Sequence, residues 1–161
     1  ANGQRKQQLD ASLKAHPDLK VTVVVGESHT ALAAADAVLL ASGTAALEAL
    51  MFEKPMLVCY RLSPISYSLF RRKLKVPFVS LPNLLAGHKV VEELLQDQVQ
   101  PQLIADHLSV LLFDQEAAEK QRSRFAKIHQ QLACGADIGA AQAVIEVISE
   151  RGESASLGGE I

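Results

Sequence analysis

The sequence predicts an α/β fold built on a parallel sheet, with a helical C-terminal portion. Short apolar runs, Val21–Val25, Ala37–Ala41 and Met56–Tyr60, recur with helical stretches between them. Runs without polar alternation belong to strands buried on both faces, as in parallel sheets. Strand–helix–strand order needs crossover connections, which are right-handed and leave the strands parallel. From Lys89 onward the remaining patterns read as successive helices.

Taken in order, Gln4–Ala15 has helical composition and stops ahead of Pro17. After the first apolar run, Ser28 or Thr30 is placed to cap a short helix through Ala35. Ala37–Ala41 is the second strand, Thr44–Phe52 a helix, and Met56–Tyr60 the third strand, with Pro55 where a strand begins. Beyond Pro64, Ile65–Lys75 reads as a helix, and Pro77 breaks it ahead of a short strand, Phe78–Leu81. Helices are then expected over Val90–Gln96, Gln102–Phe113, Glu119–Ala133 and Asp137–Glu150. Phe125, Ile128 and Leu132 make a narrow stripe on the third of these. The last is apolar on more than one side, through Ile138, Ala141, Val144, Ile145 and Ile148, so it needs its own core or a second copy to cover it. Residues 151–161 carry no periodicity and are expected to fray.

With 161 residues, 48% apolar, and a net charge of −2, residues 1–150 are expected to form one domain with one core. The charge argues against nucleic acid as a partner, since phosphate-dominated binding needs a basic surplus. Cys59 and Cys134 lie far apart, in no metal-binding spacing, and fit a reducing, cytoplasmic setting. The five histidines form no paired motif, so neither a metal nor another cofactor is expected. No apolar run reaches the roughly 18–20 residues that span a bilayer. The chain starts at Ala1, without Met, in a polar helix, and reads as a piece of something longer.

The stretch ADAVLLASGTAALEA, residues 35–49, carries the chemistry. In an open α/β sheet, ligands sit where a strand ends and the next helix begins, and Ser42, Gly43 and Thr44 occupy that place. A helix start offers unpaired N–H groups and partial positive charge, and Gly43 lets a phosphate approach the backbone. Glu48 fails the spacing of a capping box, because Ser42 is followed three residues later by Ala45, and Thr44 by Leu47. One turn beyond Thr44, its carboxylate is placed to accept both hydroxyls of a ribose. An ordinary N-cap and a solvated Glu explain the same residues. Asn83, after Pro82, is by itself a helix cap or Asx turn. Along Ile65–Lys75, Tyr67, Phe70 and Leu74 form a stripe flanked by Arg71, Arg72 and Lys75. That pattern suits an anionic lipid surface or a phosphorylated lipid acceptor, and equally a surface helix packed on the sheet. Arg61 faces either the same cleft or a carboxylate.

ADAVLLASGTAALEALMFEKPMLVCYR, followed by VPFVSLPNLLAG and FAKIHQQLACGADIGAAQAV, resembles the C-terminal half of bacterial lipid-A-disaccharide synthases, from about residue 20 to residue 150. The resemblance implies one Rossmann-like half of a GT-B glycosyltransferase, with the substrate cleft between two such halves. It implies inverting transfer of 2,3-diacylglucosamine from its UDP donor to 2,3-diacylglucosamine 1-phosphate, at the cytoplasmic face of the inner membrane. Ser42, Gly43 and Thr44 match the phosphate-facing turn, Glu48 the ribose-facing carboxylate, and Asn83 an asparagine needed for activity and expected to position substrate. His88 stands where the family pattern has Arg. The general base belongs to the family's N-terminal half, which this chain lacks along with a Gly-Ser-Arg loop, so the 161-residue piece is not expected to transfer sugar alone. A non-catalytic nucleotide-binding or homodimerising module, and another UDP-sugar enzyme of GT-B type, are the alternatives; SLPNLLAG separates the family from the latter.

Overall fold

The computed structural model describes residues 3–41, 43–63, 66–67 and 78–133, with residues 142, 144, 145 and 148 of the last stretch. Its elements are α1 (Gly3–Lys14), α2 (Ser28–Ala34), β1 (Val38–Leu40), α3 (Thr44–Met51), β2 (Met56–Tyr60), α4 (Leu81–Ala86), β3 (Glu92–Leu95), a 3-10 turn (Gln96–Gln98), α5 (Pro101–Phe113) and α6 (Gln115–Leu132). The three strands form one parallel sheet in the order β1–β2–β3. Leu40 pairs with Val58, and Val58 with Glu93, so these three residues form one row across the sheet.

Central strand β2 explains the core. Met56, Leu57 and Val58 are wholly buried, as expected of a strand covered on both faces. Side chains alternate along a strand, so Met56 and Val58 share a face with Val91 and meet Ala46, Ala49, Leu50, Phe125 and Ile128 from α3 and α6. Leu57 and Leu94 lie on the opposite face, where α5 packs on β2. Ala46, Ala49 and Leu50 follow helical i, i+3, i+4 spacing, and the two alanines let α3 lie close to the sheet.

Three buried or half-buried amides tie the elements together. Gln121 of α6 accepts from the Met56 N–H (2.6 Å) and donates to the carbonyls of Met56 and Val90 (3.3 Å each). Gln96 accepts from the Leu62 N–H (2.6 Å) and donates to the Leu62 carbonyl (3.1 Å), fixing the chain as it leaves β2. Asn83 does the same for the entry to β3. Asp114, the single residue between α5 and α6, accepts from the Ala117 N–H (3.0 Å) and starts α6 four residues before the expected Glu119.

Several sequence expectations are corrected. Val21–Val25 forms no strand among the described residues, and Val21, Val24 and Val25 are about half exposed. β-Branched composition is not a ladder; the run pairs with neither outer strand of the sheet and stays irregular. Phe78–Leu81 is not a strand either: Ser80 caps α4, and the Val79 and Ser80 N–H groups are consumed by the Glu93 carboxylate. The expected helix Val90–Gln96, and helical structure from residue 89, give way to β3. Burial of Val90, Val91 and Leu94 and pairing with β2 override the helix preference of Glu-Glu-Leu-Leu. Glu27, rather than Ser28 or Thr30, occupies the N-cap of α2, and the Thr30 hydroxyl donates to its carboxylate (3.0 Å). Most of the expected helices Ile65–Lys75 and Asp137–Glu150, and the 151–161 tail, lie outside the described residues.

Candidate functional site

The carboxyl end of β1 leads within four residues into α3. Gly43 is the N-cap of α3, with φ 147° and ψ −164°, a conformation essentially reserved for glycine. No described side chain caps this end, and Thr44 and Ala45 are exposed. The first N–H groups of α3 therefore lie at an exposed helix start, together with the positive end of the helix dipole. Ser42 lies outside the described residues. Of the expected turn, the structure thus places Gly43 and Thr44, and it places them where a phosphate has access to the backbone.

Glu48 stands one turn further along α3, on the side of Thr44. Its side chain is 42% exposed, so it is neither a core residue nor fully in solvent. His29 of α2 lies beside it, with Nε2 3.7 Å from Oε2, and the His29 ring tilts against Phe52 at 5.6 Å. No sequence pattern points to His29 here. It is 19 residues away in sequence, and only the fold brings it beside Glu48 and Phe52, in the middle and at the end of α3.

Asn83 is entirely buried. Its Nδ2 donates to the Val91 carbonyl (3.0 Å) and to Glu93 Oε1 (2.8 Å), and its Oδ1 accepts from the N–H groups of Val90 (2.7 Å) and Val91 (2.9 Å). A side-chain amide has two donors and two acceptor positions, and all four are used within the chain. Direct donation to a phosphate or sugar has no free atom here; what this side chain positions is backbone. His88 turns back on α4, its Nδ1 2.8 Å from the Ala86 carbonyl, which places the ring hydrogen on Nδ1. It covers the end of a helix, where Gly87 at φ 69° closes the last turn.

Arg61 is exposed just past β2, and Tyr67 is half-buried with its N–H donating to the Ser63 carbonyl (2.8 Å). Phe70, Arg71 and Arg72 lie outside the described residues. Burial pushes the Cys59 thiol above its ordinary pKa, away from the reactive thiolate. A cleft of about 690 Å³ lies near the amino end of β1, lined by Asp36, Asp114, Glu116 and Glu119 with Arg122. Its acidic lining repels a diphosphate, and it lies at the wrong end of the sheet for a ligand carried by α3. Among the described residues no three His, Cys, Asp or Glu side chains are grouped to hold a metal ion. Nor is any helix among them long and apolar enough to cross a membrane.

A parallel sheet with α3 opening at the carboxyl end of β1 defines a Rossmann-like α/β unit. Residues 1–147 match the family model described as lipid-A-disaccharide synthetase, and the chain belongs to that family. It is 46% identical to the lipid-A-disaccharide synthase of Pseudomonas putida strain GB-1 over 151 residues, which cover 94% of this chain and 39% of that protein. Against the Haemophilus influenzae strain PittEE enzyme the identity is 45% over 152 residues, covering 91% and 39%. The Enterobacter sp. strain 638 enzyme gives 46% over 147 residues, covering 91% and 38%. The chain thus spans less than half the length of the curated relatives it matches.

Proposed function

We propose that this chain is the donor-nucleotide half of a lipid-A-disaccharide synthase. In the full enzyme, 2,3-diacylglucosamine passes with inversion from its UDP carrier to 2,3-diacylglucosamine 1-phosphate. The observation that carries the reading is the pairing, on one helix, of a start at Gly43 that no described side chain caps with a half-exposed carboxylate one turn on, at Glu48. The diphosphate sits over Ser42, Gly43 and Thr44, with its oxygens accepting from backbone N–H groups. Glu48 accepts from the two ribose hydroxyls. As the bond to the sugar breaks, negative charge grows on the departing diphosphate, and fixed N–H dipoles at the start of α3 stabilise it without reorganising. Metal is not required for that step. The acceptor hydroxyl must lose a proton to a general base, and Glu48, engaged with ribose, is not free for it. That base is assigned to the remainder of the enzyme.

Acylated substrates place the enzyme at a membrane surface, on the cytoplasmic side of the inner membrane. The basic and aromatic residues Arg61, Tyr67, Phe70, Arg71 and Arg72 are the proposed lipid or acceptor contacts. A second copy is the proposed cover for the last helix, because Val144 and Ile148 are 58% and 65% exposed. Titration of the full-length enzyme with UDP tests the donor site. Loss of hydrogen bonds to a charged acceptor is expected to weaken UDP binding about tenfold or more in Glu48→Ala. Equal affinity in the variant removes Glu48 from the site.

A further inference from the structure

Glu93 lies in the same row of the sheet as Leu40, the last residue of β1, and on the face that carries α3 and α4. Its carboxylate gathers one short segment of chain. Oε1 accepts from the Ser80 N–H (2.9 Å), the Ser80 hydroxyl (2.6 Å) and Asn83 Nδ2 (2.8 Å), while Oε2 accepts from the Val79 N–H (3.0 Å). Ser80 and Asn83 are both wholly buried. The four donors are neutral, and they converge on both oxygens, so only a carboxylate satisfies them all. A glutamine would turn an NH2 group toward at least one N–H or O–H donor and leave it unpaired.

What this network fixes is the corner at residues 79–81, where the chain turns into α4. Ser80 is held at the level of Glu93, and Asn83 at the level of Val90 and Val91, so α4 descends antiparallel to β3. Helix α3 descends beside it from Gly43, and the two pack against each other. The start of α4 therefore lies toward the same end of the sheet as the start of α3, where the donor diphosphate is proposed to sit. We propose that Glu93 is a positioning residue of the donor site: it acts through Ser80 and Asn83 to hold the 79–81 corner at the end of the sheet where Gly43 and Thr44 start α3, and touches no substrate. This role rests on the donor-site reading of Gly43 and Glu48. It also makes Asn83 a member of the same device, needed for where it holds the backbone.

The test uses the full-length synthase with Glu93→Gln, Ser80→Ala and Glu48→Ala in parallel, each taken through thermal unfolding, UDP titration and separate KM values for donor and acceptor. Glu93→Gln is expected to raise the donor KM and the UDP Kd about tenfold, the order expected for one unpaired donor in a charge-assisted network, with the acceptor KM unchanged. Ser80→Ala removes one of the four bonds and no bulk, so it is expected to shift the UDP Kd in the same direction by about threefold. A merely structural Glu93 lowers the unfolding temperature and leaves both KM values unchanged, and that result overturns the proposal. If Glu93→Gln does not fold, Ser80→Ala decides, and an unchanged UDP Kd in it overturns the proposal equally. If Glu48→Ala weakens UDP while neither other variant does, the positioning role fails and the donor site stands. If Glu48→Ala leaves UDP binding intact, both fail together.

Discussion

Gly43 is the residue on which the proposed donor site turns. At φ 147° it adopts a backbone conformation that side chains avoid, although a Cβ there meets nothing within 4 Å. The cost of Gly43→Ala is therefore conformational and not steric, on the order of 1–3 kcal/mol. To relieve it, the backbone must rotate and carry the first N–H groups of α3 off line. Gly43→Ala is expected both to lower stability in urea denaturation and to weaken UDP binding, whereas Glu48→Ala, at a half-exposed position, weakens UDP with little loss of stability. The helix start at Gly43 and Thr44, with Glu48 one turn on, is legible in sequence because helix-start chemistry is local: it depends on a few adjacent residues and a four-residue spacing. Asn83 and His29 are not legible in that way. Whether an asparagine faces solvent or spends its amide on Val90, Val91 and Glu93 depends on chain brought in from β3, and the His29–Glu48 approach depends on how α2 packs.

Among the elements, β1, α3, β2 and α5 appear close to their expected places, because each has a continuous apolar run or a clear helical period of its own. β3 departs from its expected helix because its residues, Glu-Glu-Leu-Leu, prefer helix until a strand edge is offered to them; the pairing with β2 is information held elsewhere in the chain. Gln121 shows the same dependence from the other side. On sequence it is one polar residue in a polar helix, yet it is buried and bonded to the Met56 N–H and to two carbonyls, 65 and 31 residues away. Gln121→Leu keeps the bulk and orphans the Met56 N–H at the start of the central strand. A loss of about 1–3 kcal/mol is expected in chemical denaturation, the cost of a buried donor left unpaired. Hydrogen exchange at the Met56 amide is expected to quicken, and unchanged exchange there would show that α6 does not anchor β2.

At the scale of the whole molecule, the proposed donor half and the proposed transfer reaction separate. The core that supports α3, from Ala46, Ala49 and Leu50 through Met56 and Val58 to Phe125 and Ile128, comes entirely from this chain. The helix that carries Glu48 and starts after Gly43 therefore rests on a core that this chain supplies. The relatives are far longer, with 38–39% of their length matched here, and the proposed transfer needs a general base aimed at the acceptor hydroxyl. Among the described residues the carboxylate one turn from Gly43 and Thr44 is Glu48, and in its proposed role, accepting from ribose, it is not free to take that proton. The isolated 161-residue chain is expected to bind UDP, about tenfold or more weakly than the full-length enzyme because contacts from the other half are lost, and to form no disaccharide. Calorimetric titration with UDP measures the first, and mass detection of the disaccharide 1-phosphate from both acylated substrates measures the second. Product above a protein-free blank would place the base within this chain. No UDP binding at millimolar ligand would mean that the α3 turn is shaped only when the other half closes on it.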